Sequence, residues 1–451
     1  MSEETTHFVN GDQDYTMEEA FAEANRCLNC PKPLCRTGCP IENEIPRFIK
    51  AIAAGNIGLA NEIIGEHSNL PSICGRVCPR EKQCEGHCIL NRANKPINIG
   101  KLERFAADFQ NTYNLSKLKP IRKTEAKIAI IGSGPAGITV AYDLVQRGYD
   151  VTIFERSDEP GGILVYGIPE FRLSKEIVQK EFEKLRTLGV KIECGVEIGP
   201  ERTLDDLKAE GFEGVFIGTG THTSSAISLD GDDKAEIFQA MDLLTAVQMH
   251  KEGKLDASHI PVSKGDRVVI IGAGNVAIDA ARTSLRQGAT SVTMAYRRGE
   301  ANMPCNPSEY AEALEEGVKF EFYNSPKEVL GSGHVEALRC EISEVDEEGN
   351  IIPTGKMNDI PADKIILAIG HKPRRMLRST GNMIDCNEEG YIITQDEPYY
   401  GMTNREGVFA AGDVVHKPAT VVLAMAEAKK VATGMFSYFE NKKIMDEIDK
   451  G

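Results

Sequence analysis

The chain is 451 residues long, with 41% hydrophobic and 27% charged residues, values ordinary for a globular protein with room for about three domains. Its formal net charge of −16 argues against nucleic acid or an anionic membrane surface as the main partner, and no apolar run is long enough to span a bilayer. The polar, acidic opening from Met1 to Tyr15 reads as no secretory signal, so a cytoplasmic location is expected, where clustered cysteines bind metal or do redox chemistry more often than they form disulfides.

Eight of the twelve cysteines fall within the first 88 residues, in two runs: Cys27-x2-Cys30-x4-Cys35-x3-Cys39-Pro40 and Cys74-x3-Cys78-Pro79-x4-Cys84-x3-Cys88. Structural zinc usually takes two CxxC-like pairs per ion, and only one CxxC occurs here. The first run instead resembles the ferredoxin pattern, in which the last Cys-Pro ligates the other cluster, so iron–sulfur is the expected occupant. Between and after the runs, Glu18 to Leu28, Ile45 to Ile64 (broken near Gly55) and Ile99 to Phe109 have helical periodicity. Asn111 to Lys123, polar and basic and holding Pro120, reads as a linker.

From Lys127 the texture becomes α/β. Buried strands such as KIAIIG, VTIFE, GVFIGTG, RVVIIG and VTMAY alternate with helices, as in parallel doubly wound sheets. Ile128 to Asp158 repeats as Val268 to Glu300, each reading strand, glycine turn, helix, strand. Two Rossmann-type units imply two nucleotide-shaped ligands. Near the end, GVFAAGDV (Gly407 to Val414) is a further strand and turn, followed by a helix from about Ala419 to Phe439.

The first fingerprint is Gly132-x-Gly134-x-x-Gly137, with Pro135 and Ala136 opening its helix. The first glycine permits a tight turn, the second lets backbone approach a pyrophosphate, and the third allows close helix–sheet packing. Glu155, followed by Arg156, stands where an acid should bind ribose hydroxyls. The late GVFAAGDV strand resembles that of two-dinucleotide flavoproteins, which implies that Asp413 holds the ribityl–phosphate chain of FAD, with Gly412 beside it a further cofactor-binding candidate. Thr420 and Val421 then begin a helix whose positive end favours negative charge on the reduced flavin ring. Gly161, Gly162, Ile163, Leu164 and Gly167, in GGILVYGIP, are expected to line the flavin, with Arg172, Gly220 and Gly370 completing the cofactor-binding candidates.

The second fingerprint, Gly272-x-Gly274-x-x-Ala277, includes Asn275 and Val276 at its helix start. Aligning the repeats puts Tyr296 opposite Glu155, followed by Arg297 and Arg298. A carboxylate there would repel a 2′-phosphate, whereas arginines bind one through charge-assisted hydrogen bonds, so NADPH is expected over NADH.

Both cysteine runs, Pro96-Ile97-Asn98-Ile99-Gly100-x-Leu102-Glu103-Arg104-Phe105, the GSGPAG turn and GGxLxYGIPxFRL together resemble the small subunits of NADPH-dependent glutamate synthase. Related chains are the large subunit of the electron-bifurcating NADH-dependent ferredoxin:NADP oxidoreductase and the amino-terminal half of dihydropyrimidine dehydrogenase. The resemblance covers nearly the whole chain. It implies two [4Fe–4S] clusters with crossed ligation: Cys27, Cys30, Cys35 and Cys88 on one, and Cys39, Cys78, Cys84 and Glu103 on the other. Cys74 is then left without a ligand role, and a buried structural thiol is its plain reading. Ser174 departs from the proline usual after FRL, which touches only the local turn.

The fold expected is α/β with an α-helical N-terminal iron–sulfur domain and two Rossmann-like domains. The helical domain covers 1–123, a discontinuous FAD domain covers 124–262 and 366–451, and an NADPH domain covers 263–365. An NADPH-dependent FAD/iron–sulfur oxidoreductase follows, passing hydride to flavin and then single electrons through the clusters to a partner subunit in a hetero-oligomer. No protein nucleophile is required. Cys194, Cys305, Cys340 and Cys386 stand alone, so a thiol exit beside the flavin is not expected. His222 reads as a packing residue rather than a proton donor, and Met303, Pro304 and Glu309 are given no role. The partner is read as a glutamate synthase large subunit. A bifurcating oxidoreductase with a flavoprotein partner shares every motif, and a redox-silent scaffold is the reading of another class.

Overall fold

The computed structural model describes residues 14–113, 118–123, 125–221, 223–224, 227–373 and 383–449; His222 lies outside them. The described residues fall into two compact units, one of Tyr166–Arg172 and Ser224–Gly370, the other of the remainder.

The larger unit begins with helices. Thr16 caps Met17–Asn25 in a reciprocal capping box with Glu19. The periodic stretch after residue 45 is two helices, Ile45–Ala53 and Ile57–Gly65, broken where Gly55 takes φ +74° and Asn56 caps the second. Pro71–Val77 and Ile99–Thr112 follow, the latter reaching into the stretch expected to be linker. Phe48, Ile49, Ile52, Ile63, Ile64, Leu102 and Ala106 form their core, and Cys27, Cys35, Cys39 and Cys88 pack on its edge.

The same unit carries a five-stranded sheet in the order Val408–Ala410, Gly214–Ile217, Lys127–Ile131, Asp150–Phe154, Lys191–Glu193. Every pairing is parallel. Helix Pro135–Gln146 crosses from the first of these strands in sequence to the second. The final helix, Val421–Ile448, runs a further nine residues past the expected end at Phe439. The helical domain is not a separate body: Asn69 Nδ2 donates to Thr139 O at 3.2 Å and Asp143 Oδ1 at 2.9 Å on the Pro135 helix. Lys429, on the final helix, reaches the same Asp143 at 3.3 Å.

The smaller unit repeats the plan, with strand order Ile237–Gln239, Lys364–Leu367, Arg267–Ile271, Ser291–Tyr296, Lys319–Phe322, again all parallel. Residues 224–262, expected with the first sheet, therefore lie with the second, because Ile237–Gln239 pairs with Lys364–Leu367. Tyr166–Arg172 also belongs here, where the Thr245 hydroxyl donates to Tyr166 O at 3.3 Å. An antiparallel sheet of Asn324–Leu330, Ala337–Val345 and Ile351–Pro361 covers one face, burying Val329, Leu338, Cys340 and Ile360 against Val269 and Ile271. Among the described residues no helix is long and apolar enough to cross a membrane.

Candidate functional site

At the first fingerprint each glycine has a distinct reason. Gly132 has φ +98°, and a Cβ there would lie 2.6 Å from Gly218 O. A Cβ on Gly137 would lie 2.0 Å from Gly132 O, so the helix can sit this close to the turn only without a side chain. Gly134, the N-cap of Pro135–Gln146, has nothing within 4 Å of its Cβ position. The space in front of the helix N-terminus is open, as a pyrophosphate needs. Gly162 (φ +54°) comes up beside it, its Cβ position 3.4 Å from Gly134 Cα.

Ser133 organises this corner, and the sequence reading passed over it as the variable position of GxG. Its backbone N–H and hydroxyl both donate to Glu155 Oε2, at 3.1 and 2.5 Å, and Gly161 N–H donates back to Ser133 Oγ at 2.8 Å. Glu155 Oε1 accepts from Ser157 N at 2.8 Å. The carboxylate is thereby locked in place at the strand end, with acceptor capacity remaining for a hydroxyl. Its neighbour Arg156 is exposed. Gly412 (φ +78°) abuts Ala136, which brings Asp413 to the same helix N-terminus. Burial raises the Asp413 carboxyl, opposed by the Ala419 N–H. Thr420 Oγ1 caps the final helix by accepting from Leu423 N at 3.3 Å, with Val421 its first residue. Gly220 (φ +66°) also faces open space, and Ile163 is exposed while Leu164 is buried in the core.

Gly167, Arg172 and Gly370 fall in the smaller unit. Arg172, expected among the cofactor-binding residues, has its guanidinium held by two carboxylates there: Asp279 at 2.6 Å and Glu309, in a closer contact still. These partners, Asp279 unremarked in the sequence and Glu309 given no role there, already satisfy its fork.

The second fingerprint follows the first in form. Gly272 has φ +133° and would clash with Ala368 O, Gly274 has only Pro304 Cγ near it at 3.9 Å, and Ala277 is fully buried at the third place. Asn275 Oδ1 accepts from Asn306 N at 3.0 Å, tying the 303–306 loop over the helix start, and Val276 packs partly buried against the core. Sheet register verifies the repeat alignment: Ile131 pairs with Phe154 and Ile271 with Ala295, so Tyr296 does stand at the Glu155 position. Arg297 and Arg298 are exposed, and neither has an ion pair among the described residues.

The cysteines sort into two groups that cross the two runs. Cys27, Cys30, Cys35 and Cys88 line one cavity of about 420 Å³, walled by Ile45, Ile49, Ile97 and Ile99. Burial pushes the Cys35 thiol up to about 12, with Cys88 and Cys27 adding repulsion. Cys39, Cys78 and Cys84 fall together in a second group, each of the three thiols feeling the Glu103 carboxylate, with Cys74 acting on Cys39 and Cys78 as well. Glu103 is half-buried, and desolvation pushes its carboxyl up to about 8 against the pull of Arg80. Backbone N–H groups are already aimed at the sulfurs: Asn29 at Cys27, Arg36 at Cys35, Asn43 at Cys39 and Glu85 at Cys84. Such donors stabilise thiolates. Among the described residues no three His, Cys, Asp or Glu side chains converge on a single-ion site. Cys27, Cys30, Cys35 and Cys88 surround a volume instead, and a soft thiolate set around a volume fits an iron–sulfur cluster. Cys74, buried, hydrogen-bonds with Cys78 and lies 3.5 Å from Met425 Sδ on the final helix.

Comparison with known proteins agrees with both halves of the chain. Residues 4–115 match a family model described as dihydropyrimidine dehydrogenase domain II, 4Fe-4S cluster, and residues 126–428 match the pyridine nucleotide-disulphide oxidoreductase family. The glutamate synthase [NADPH] small chain of Halomonas elongata is 36% identical over 438 residues, covering 95% of this chain and 92% of that one. The NAD-dependent dihydropyrimidine dehydrogenase subunit PreT of Escherichia coli is 35% identical over 426 residues, covering 94% and 96%. In structure, FprA of Mycobacterium tuberculosis in complex with NADPH superposes with a TM-score of 0.60 at 19% identity, over 72% of this chain and 87% of that one. That last likeness is one of fold.

Proposed function

Because this chain belongs to the family of NADPH-dependent glutamate synthase small chains, oxidoreductases that join a 4Fe-4S domain to a pyridine nucleotide-disulphide oxidoreductase module, we propose that it is the NADPH-oxidising electron-input subunit of such an enzyme. NADPH binds the smaller unit, FAD the first Rossmann sheet, and two [4Fe–4S] clusters the helical domain. Once bound, these groups supply the redox chemistry, turning a two-electron donor into single electrons.

The protein's own residues bind and orient. Gly134 and Gly162 leave the pyrophosphate its place at the Pro135 helix N-terminus, Glu155 takes ribose hydroxyls, and Asp413 takes the ribityl–phosphate chain. Arg297 and Arg298, free at the surface, clamp the 2′-phosphate. Cys27, Cys30, Cys35 and Cys88 hold one cluster; Cys39, Cys78, Cys84 and Glu103 hold the other. The observation that carries this reading is the crossed grouping of the cysteines, on a domain bonded through Asn69 to the helix that begins at the first fingerprint. The recipient is a glutamate synthase large subunit in a cytoplasmic hetero-oligomer.

Anaerobic purification with iron and sulfide assays, then titration with NADPH while recording the visible spectrum, tests it. About eight irons per chain and a flavin band bleached by NADPH are expected. An iron-free chain, or a flavin indifferent to NADPH, overturns it.

A further inference from the structure

The cavity that gathers Cys27, Cys30, Cys35 and Cys88 opens beside exposed apolar side chains, Leu28 at 61% and Leu34 at 50% exposure. Two of the three stretches of sequence that line it, 24–41 and 86–102, contain no Asp or Glu, although the chain as a whole has 68 of them and a net charge of −16; the third, Ile45 to Ile49, follows Glu44, which is held by Arg36. They do contain cations. Arg26 is bound to Glu23, Arg36 to Glu44, and Lys101 lies over the Tyr15 ring. Lys32, Arg92 and Lys95 are exposed and have no ion-pair partner among the described residues. Lys32 lies on the cavity rim. Arg92 belongs to the short helix Ile89–Ala93 that follows Cys88, and the Lys95 carbonyl accepts from Arg26 Nη2 at 2.8 Å.

An apolar centre at a redox site, ringed by unpaired charge of one sign, is the make-up of an electron-transfer docking face. The apolar groups exclude water at the contact, and the charges orient the encounter. We infer that this rim, with Leu28 and Leu34 at its centre and Lys32, Arg92 and Lys95 around it, docks an electron-accepting protein that surrounds its own redox centre with acidic side chains. The inference rests on the function proposed above, and it adds the face and the sign of charge the acceptor presents. A strongly acidic chain that leaves three cations without carboxylate partners beside this cavity gains little in solubility from doing so. It gains attraction for an acidic partner that the rest of its surface repels.

The test uses the cluster-loaded protein, NADPH, and two single-electron acceptors of opposite charge: cytochrome b5, acidic around its haem edge, and cytochrome c, basic there. Cytochrome b5 is expected to be reduced faster, with a rate that falls as salt rises. The triple variant Lys32→Glu, Arg92→Glu, Lys95→Glu is expected to lose about tenfold or more toward cytochrome b5, the scale of electrostatic steering, and to gain toward cytochrome c. Reduction of an uncharged quinone should stay unchanged and shows that the variant is folded and loaded. Equal rates for wild type and variant toward cytochrome b5, while NADPH still reduces the clusters, would overturn this inference and leave the function standing. A wild-type dimer that the triple variant dissociates would overturn it too, assigning the face to a second copy of the chain. Clusters that NADPH fails to reduce in the wild type would instead overturn the function on which it rests.

Discussion

Arg172 and Asp279, 107 residues apart in sequence, meet at 2.6 Å with both side chains under a tenth exposed. Asp279 lies on the helix of the second fingerprint, and Glu309, on Pro307–Glu315, grips the same guanidinium. The segment that begins as the flavin-side GGILVYGIP motif thus ends pinned inside the smaller unit by a buried ion cluster. A buried pair adds little net stability over apolar residues, but removing one partner leaves uncompensated charge.

Arg172→Met should therefore destabilise the smaller unit by about 3–5 kcal/mol, because Asp279 and Glu309 would both remain buried without their cation. Denaturant unfolding measures it. A loss under about 1 kcal/mol, the scale of a surface pair, would show that water reaches the site.

Glu309 sets a pH dependence. Burial pushes its carboxyl up to about 7, opposed by Arg172 and reinforced by Asp279. An unfolded glutamate titrates near 4.3, so between about pH 4.3 and 7 the folded chain holds more protons and stability falls as pH rises. Glu309→Gln, which keeps the acceptor for Asn306 Nδ2, should remove that slope: melting temperatures of variant and wild type should diverge from pH 5 to 8. Parallel curves would place the titration elsewhere.

Much of this was legible in the sequence. Both fingerprints fall on strand–turn–helix, and the register confirms the alignment that put Tyr296 opposite Glu155. Gly55 marked a real helix break. These features are local, set by φ, periodicity and capping. The misplaced domain boundary and Arg172 are of another kind. Ile237–Gln239 carries no sign of which sheet it will join, and the Arg172 partners lie more than a hundred residues away. The antiparallel sheet from Asn324 to Pro361 escaped notice because its second half is mostly exposed and polar, without a clean apolar alternation. Ser133 escaped because motif reading weighs glycines and ignores the residue between them.

The glycines give a paired test. Gly134→Ala adds a methyl to open space at φ −68°, so apoprotein stability should change by no more than about 0.5 kcal/mol while FAD binding weakens. Gly137→Ala sets a methyl 2.0 Å from Gly132 O and should unfold or strongly destabilise the unit. Melting of the apoproteins and FAD retained after desalting separate the two. Undiminished FAD retention in Gly134→Ala would move the pyrophosphate away from this helix.

Arg297→Ala with Arg298→Ala should weaken NADPH by about 10- to 100-fold, the worth of one or two charged hydrogen bonds, and barely affect NADH. Their exposure and lack of ion pairs make a folding defect an unexpected outcome. Equal losses for the two nucleotides, read from flavin bleaching, would contradict 2′-phosphate recognition.

Low-temperature electron paramagnetic resonance of the NADPH-reduced protein, wild type beside Glu103→Ala, tests the central claim most directly. Two reduced cluster signals are predicted in the wild type, with one altered and the other intact in the variant, because the proposed ligation confines a carboxylate ligand to the Cys39–Cys78–Cys84 group. A single signal in the wild type, or two signals unaffected by the substitution, would contradict crossed ligation and the electron route built on it.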